Sequence, residues 1–168
     1  MRRRTLLASA VIPTTVGATG CLSSRRDETS ASVRLGWFGI HNVDPESAHT
    51  FELAVERDGE TVHQSTHEIP AADDSGSGVR SDGAVADCDW GRTAGDYTVR
   101  VRMDETAEAE ESVTAFANET DADCVVADAE YRNHDAVSRY IDAKTLSIRQ
   151  RDDCDNDGYE RRCSFTEE

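Results

Sequence analysis

The chain is nearly without lysine. Lys144 is the only one in 168 residues, and the rest of the 18 basic side chains are arginine. Against them stand 34 acidic residues, for a formal net charge of −16. Nothing in the chain forms a basic stripe, which excludes the phosphate contacts that drive nucleic-acid binding. Aromatic residues make up only 6% of the chain, so any core is lean. No apolar run reaches the roughly 20 residues that a membrane-spanning helix needs. There is no Gly-x-Ser-x-Gly elbow and no phosphate-cradling glycine loop, so the usual signatures of an enzyme are missing. With 34 carboxylates, pairs at glycosidase spacing arise by coincidence and none is singled out.

What is present starts at the N-terminus. Arg2, Arg3 and Arg4 precede an apolar stretch from Leu6 to Val16, and small residues lead to Cys21. Cations, apolar run and small residues in that order read as an export signal over residues 1–20. Arg3-Arg4-Thr5-Leu6-Leu7 resembles the twin-arginine signal, and Ala18-Thr19-Gly20-Cys21 resembles a lipobox. The lipobox resemblance implies lipidation at Cys21, which becomes the mature N-terminus; two hydrocarbon chains give stable anchoring where one does not. The expected address is therefore outside the cell, lipid-anchored to the membrane, with residues 21–31 as a polar tether. An ordinary cleaved secretory signal is the alternative. Loss of Arg2, Arg3 and Arg4 would leave 15 basic residues against 34 acidic ones, a formal charge of −19. Such self-repulsion opposes compaction, but in molar salt the screening length falls to about 3 Å. The charge thus reads as adaptation to a saline solvent, with a calcium-collecting surface as the alternative.

Four cysteines remain after Cys21: Cys88, Cys124, Cys154 and Cys163. An even number in an exported chain implies disulfides. Three pairings are possible. Cys88–Cys124 and Cys154–Cys163 are favoured, the second pair flanking a turn-like segment. A loop the size of the first contributes roughly 3–4 kcal/mol by restricting the unfolded chain. The spacings are too wide for a four-cysteine zinc site.

From residue 32 the pattern has a period of two. Val33, Leu35, Trp37 and Phe38 mark one strand, and Phe51, Leu53 and Val55 a second, joined by the turn-rich Asn42–Ser47; the two are expected to form a hairpin. Asp58-Gly59 predicts a tight hairpin turn into a third strand over 61–69, ended by Pro70. Residues 71–83 read as a loop and 87–90 as a short strand. Residues 96–103 form the clearest strand, with Tyr97, Val99, Val101 and Met103 on one side. Strands are also expected over 107–116, whose Ala/Glu-rich start could instead form one turn of helix, and over 124–131 and 139–148, with Tyr140 or Ile141, Leu146 and Ile148 facing inward. No sustained helical stripe is visible. The fold class is all-β: a β-sandwich domain of about seven strands over 32–150, followed by an acidic, disulfide-braced tail over 151–168.

Gly95-Asp96-Tyr97-Thr98-Val99-Arg100-Val101 resembles the Gly-x-Tyr-x-Val-x-Val strand of immunoglobulin-like and fibronectin-type domains. In those domains a tyrosine hydroxyl ties back to a nearby loop. Asn42, the run His49 to Val55, Gly59-Glu60 and the Gly95–Val101 strand together resemble small secreted lipoproteins of salt-loving, halophilic archaea. That resemblance spans roughly residues 31–150. It implies an immunoglobulin-like fold and an address, and no activity.

Three further features bear on chemistry. Asp153, Asp155 and Asp157, followed by Gly158, have the opening spacing of a calcium loop. The twelfth position, where an EF-hand places a bidentate Glu, is Ser164, so Ca2+ is a candidate ligand of a shortened loop only. Among the five histidines, His63 and His67 would lie about 13 Å apart in a strand, too far to share an ion, and read as surface residues. His41 and His49 flank one turn and could face each other in a two-histidine copper or zinc site. Blue copper lacks a Cys–His–Met set. Asn118-Glu119-Thr120 is a glycosylation sequon. The expected function is that of a non-catalytic cell-surface lipoprotein in binding, adhesion or envelope assembly, its partners the membrane and surface proteins or glycans. The alternatives are a calcium- or solute-capturing lipoprotein of a transport system and a secreted hydrolase.

Overall fold

The computed structural model describes residues 32–73, 80–133, 144–152, 154 and 163. They form a β-sandwich of two four-stranded sheets. One sheet runs in the order β4 (Asp82–Val85), β1 (Arg34–Asn42), β7 (Cys124–Asn133), β8 (Lys144–Arg151). The other runs β3 (Glu60–Ile69), β2 (His49–Arg57), β5 (Tyr97–Met103), β6 (Ala107–Ser112). All pairs are antiparallel except β1 with β7, which is parallel. The architecture is the expected all-β, immunoglobulin-like one, with eight strands among the described residues.

The core lies between the sheets. Phe51, Leu53 and Val55 face Leu35, Phe38 and Ile40 across it, with Tyr97, Val99, Val101, Val125, Ala127 and Ala129 filling the middle, all essentially solvent-free. A register shift between Leu35 and Phe38 decides which aromatic of β1 enters. Leu35, Phe38 and Ile40 stand opposite Val125, Ala127 and Ala129 and share their face, so Phe38 rather than Trp37 continues the inward row. Trp37 is buried as well, with its ring against Gly39.

Two local readings of the sequence hold at atomic detail. Asp58 and Gly59 both adopt positive φ, 55° and 80°, as a two-residue turn of matching twist requires. The Tyr97 hydroxyl donates to the Thr93 carbonyl at 2.7 Å, four residues upstream, as the immunoglobulin-like resemblance implied.

Others are corrected. β1 and β2 are not a hairpin. They lie in different sheets, and the intervening chain crosses from one to the other. The buried Asn42 carboxamide pins that crossing, donating to Ser47 and Pro70 carbonyls at 2.9 Å and accepting from the Asp44 N–H. Alternation tells which side chains face inward, but not whether the next strand stays in the sheet. The 71–83 loop gives up its end to β4. Residues 87–90 are not a strand: Cys88 adopts φ 62°, outside the β region, and its carbonyl accepts the Gly91 N–H at 3.1 Å to close a turn.

The expected strand 107–116 ends at Ser112, where a helix begins, α1 (Val113–Thr120). Ser112 caps it by accepting the Ala115 N–H at 3.1 Å. Val113, Thr114 and Ala117 are its buried residues, Val113 and Ala117 lying one turn apart. β8 covers Lys144–Arg151, running past the expected end at 148, with Leu146 and Ile148 packed against the core; the expected start over 139–143, with Tyr140 and Ile141, lies outside the described residues.

The four cysteines among the described residues all pair, but not as favoured. The disulfides are Cys88–Cys163 and Cys124–Cys154, closing loops of sequence separation 75 and 30. The β7–β8 register explains the second: Val126 faces Arg151, so the chain just before Val126 and just after Arg151 converge. Gly36 makes room for the bond, since a Cβ there would sit 2.8 Å from the Cys154 sulfur. Cys163 is left to reach Cys88. The tail is therefore not braced on itself; each of its cysteines staples it to the sandwich body.

Candidate functional site

Two histidine clusters occupy opposite situations on the β3–β2–β5–β6 sheet. The first is built on His49, at the start of β2. Residues directly opposite in a sheet share a face, and His49 stands opposite the buried Ile69 at the end of the core. Its ring packs edge-on against Tyr131, with centroids 4.8 Å apart, and against Phe51 at 6.2 Å. Nδ1 lies 2.6 Å from an Asp104 carboxylate oxygen, and Nε2 lies 3.0 Å from Asp44. Both ring nitrogens are thus engaged by carboxylate oxygens.

Asp44 comes from the β1–β2 crossing and is almost fully buried. It also accepts from the Glu46 N–H at 2.8 Å and from the Asn133 amide at 3.3 Å. Burial alone would push the Asp44 carboxyl up; the bonds from His49, Glu46 and Asn133 outweigh it and hold the carboxyl below its usual range. Asp104 sits in the β5–β6 turn and accepts the Thr50 N–H at 2.9 Å. Burial again works upward and is outweighed by His49 and Thr50, leaving this carboxyl lowered as well. His49 thus ties the β1–β2 crossing to the β5–β6 turn through two carboxylates, with both ring nitrogens occupied.

The second cluster lies on the inner face of β3. His63, Ser65 and His67 stand opposite Val55, Leu53 and Phe51, so they share the core face with three of its largest apolar side chains. An edge strand whose inward row is polar is unusual, because that row normally supplies the core. The row is knit by hydrogen bonds. His63 Nδ1 is 3.1 Å from an Asp89 oxygen, and His63 Nε2 is 2.9 Å from the Ser65 hydroxyl, which in turn lies 2.9 Å from His67 Nε2. Trp90 closes over His63 edge-on at 5.7 Å, and its indole N–H is spent on the Leu35 carbonyl at 2.8 Å. His63 is buried, whereas His67 and Ser65 are half-exposed.

This corrects the sequence expectation for the pair. His63 is not a surface residue. The backbone positions are far apart, but the two rings lean together until both Nε2 atoms reach one hydroxyl. Ile69, buried and an even number of residues from all three, carried the missing signal: its parity puts His67, Ser65 and His63 on the core side.

The remaining candidates fall apart or lie elsewhere. His41 and His49 do not face each other, since their strands belong to different sheets; His41 Nε2 instead lies 3.3 Å from Asp128 on β7. Asn118 sits on the exposed side of α1, and the sequon's Thr120 hydroxyl donates to the Phe116 carbonyl at 2.9 Å. Asp153, Asp155 and Asp157 lie outside the described residues, as does Cys21. Among the described residues no three His, Cys, Asp or Glu side chains converge as a metal centre, and no helix is long and apolar enough to cross a membrane.

The outer face of the same sheet pairs its few arginines with glutamates. Arg100 contacts Glu110 at 2.7 Å and Glu56 at 3.2 Å, and Arg102 pairs with Glu52. No protein-family model matches the chain, and no curated protein matches it as a relative.

Proposed function

We propose that this chain is exported, anchored by lipid on Cys21 to the outer face of the cell membrane, and serves there as a non-catalytic binding or envelope-assembly module. The observation that carries the reading is the cysteine count. Two disulfides consume Cys88, Cys124, Cys154 and Cys163, leaving only Cys21, the cysteine of the lipobox-like Ala18-Thr19-Gly20-Cys21. Disulfides persist in oxidising compartments outside the cytosol, which agrees with export. The stapled tail and the arginine–glutamate lattice suit a small domain working without the shelter of the cell. The sandwich itself is a scaffold and carries no activity with it. Recognition on such scaffolds belongs to strand edges and loops.

The test is the intact mass of the membrane-associated protein, compared with Cys21→Ser. The reading expects a native species that begins at Cys21 and bears two hydrocarbon chains, and a variant lost from the membrane fraction. A native species that retains Met1, or that is processed without lipid, would overturn it.

A further inference from the structure

We propose that His63 and His67 form an open two-imidazole site for a divalent transition-metal ion of the copper or zinc type, with the Ser65 hydroxyl between them. Three features of the row point to a ligand rather than to packing. First, both Nε2 atoms are aimed at one place. Each lies 2.9 Å from the same oxygen, so they can be no further apart than twice that distance. Imidazole binds zinc at about 2.0–2.1 Å, so the two Nε2 atoms must come within about 4.2 Å of each other, by rotation of the half-exposed His67 ring toward His63.

Second, His63 is set in the state a metal requires. Asp89 accepts from Nδ1, so Nδ1 carries the proton and Nε2 presents its lone pair. A carboxylate behind the coordinating ring is the usual outer partner of a metal-binding histidine. Trp90 walls the same ring and prevents it from swinging away.

Third, a single neutral hydroxyl links the two rings. The Ser65 hydroxyl has one proton, which it gives to His63 Nε2, and it must then accept from His67. A metal ion would take both lone pairs at once, with His67 in the tautomer that frees its own Nε2, and with the hydroxyl and water completing the coordination sphere. Binding displaces one proton from His67 Nε2 to Nδ1, where solvent is at hand, and consumes no other group.

The ligand class follows from the donors. Nitrogen donors favour copper, zinc and nickel, whereas calcium and magnesium require oxygen. The acidic surface gathers any cation at low salt, but beyond about 3 Å that attraction is screened in molar salt. Binding in molar NaCl therefore reports the imidazoles.

The experiment is calorimetric titration of the folded, disulfide-bonded protein with Zn2+ and with Cu2+, in molar NaCl containing excess Mg2+. One saturable site per chain is expected. His67→Gln should weaken it more than tenfold and Asp89→Asn about tenfold, while His41→Gln leaves it unchanged. His67 is half-exposed, so its variant should fold; a melting curve for each variant checks this, and His63→Gln is a supplementary substitution. Absence of a saturable site in the native protein, or a site that survives His67→Gln undiminished, would overturn the proposal.

Discussion

The two histidine clusters share a sheet, a core face and the same kinds of neighbours, yet one is closed and the other open. His49 has a carboxylate on each ring nitrogen, both held by further hydrogen bonds, and an aromatic ring on each side. Nothing can be added without breaking something. His63 has a carboxylate on one nitrogen only, and its other nitrogen meets a neutral hydroxyl that His67 also approaches. A hydroxyl is weakly held compared with a charge-assisted partner, and a stronger ligand can replace it. The difference teaches that burial of a histidine does not decide its role; what occupies the second nitrogen does. His49 is a rivet, and His63 with His67 is a socket.

The comparison is broken or sharpened most strongly at His49. His49→Ala leaves the buried Asp44 carboxylate without one of its hydrogen-bond partners, so a loss of about 2 kcal/mol is expected, in line with the cost of leaving a buried acceptor unsatisfied. Urea unfolding of the variant measures it, and a loss below about 1 kcal/mol would make the rivet a bystander. Asp104→Asn touches the more exposed carboxylate of the same clamp and should cost only about 0.5–1 kcal/mol.

The clamp also has an acid signature. Asp44 and Asp104 are lowered in the fold relative to an unfolded aspartate near about 3.9. Their contribution is fully present above about pH 4 and is lost as pH falls through the lowered folded values. Unfolding midpoints across the acid range should therefore drop more steeply for the native protein than for His49→Ala. Equal slopes would mean that the carboxylates owe nothing to the ring. At the socket the smallest effect is expected: His67→Ala leaves the Ser65–His63 bond in place and should shift stability by less than about 1 kcal/mol. A loss as large as that at His49 would erase the contrast.

Much of this scaffold was legible from residue order alone. Phe51, Leu53 and Val55, and Tyr97 through Met103, announce their inward faces by strict alternation, and Asp58-Gly59 announces its turn by the backbone it must adopt. Tyr97 even placed its hydroxyl. What alternation leaves out is the neighbour. It did not show that β1 and β2 part company at Asn42, because both strands have equally good inward rows. It did not give the β7–β8 register, and without that register Cys124 has no reason to prefer Cys154 over Cys88.

The helix after Ser112 was hidden because Val113 and Ala117, two apolar residues one turn apart, are too short a stripe to stand out against the strand before it. The socket was misread for a related reason. Polar residues on β3 look like a solvent face until the buried Ile69 fixes the phase, and spacing along the backbone says nothing about rings that lean together. The clamp was invisible because Asp44, His49 and Asp104 come from three separate segments.

The most direct measurement is the long-range 1H–15N spectrum of the histidine rings in molar NaCl, before and after one equivalent of Zn2+. The expected result is movement of the His63 and His67 Nε2 resonances, with those of His49 and His41 unchanged. Movement at His49, or stillness at both His63 and His67, would contradict the distinction between a closed and an open histidine site.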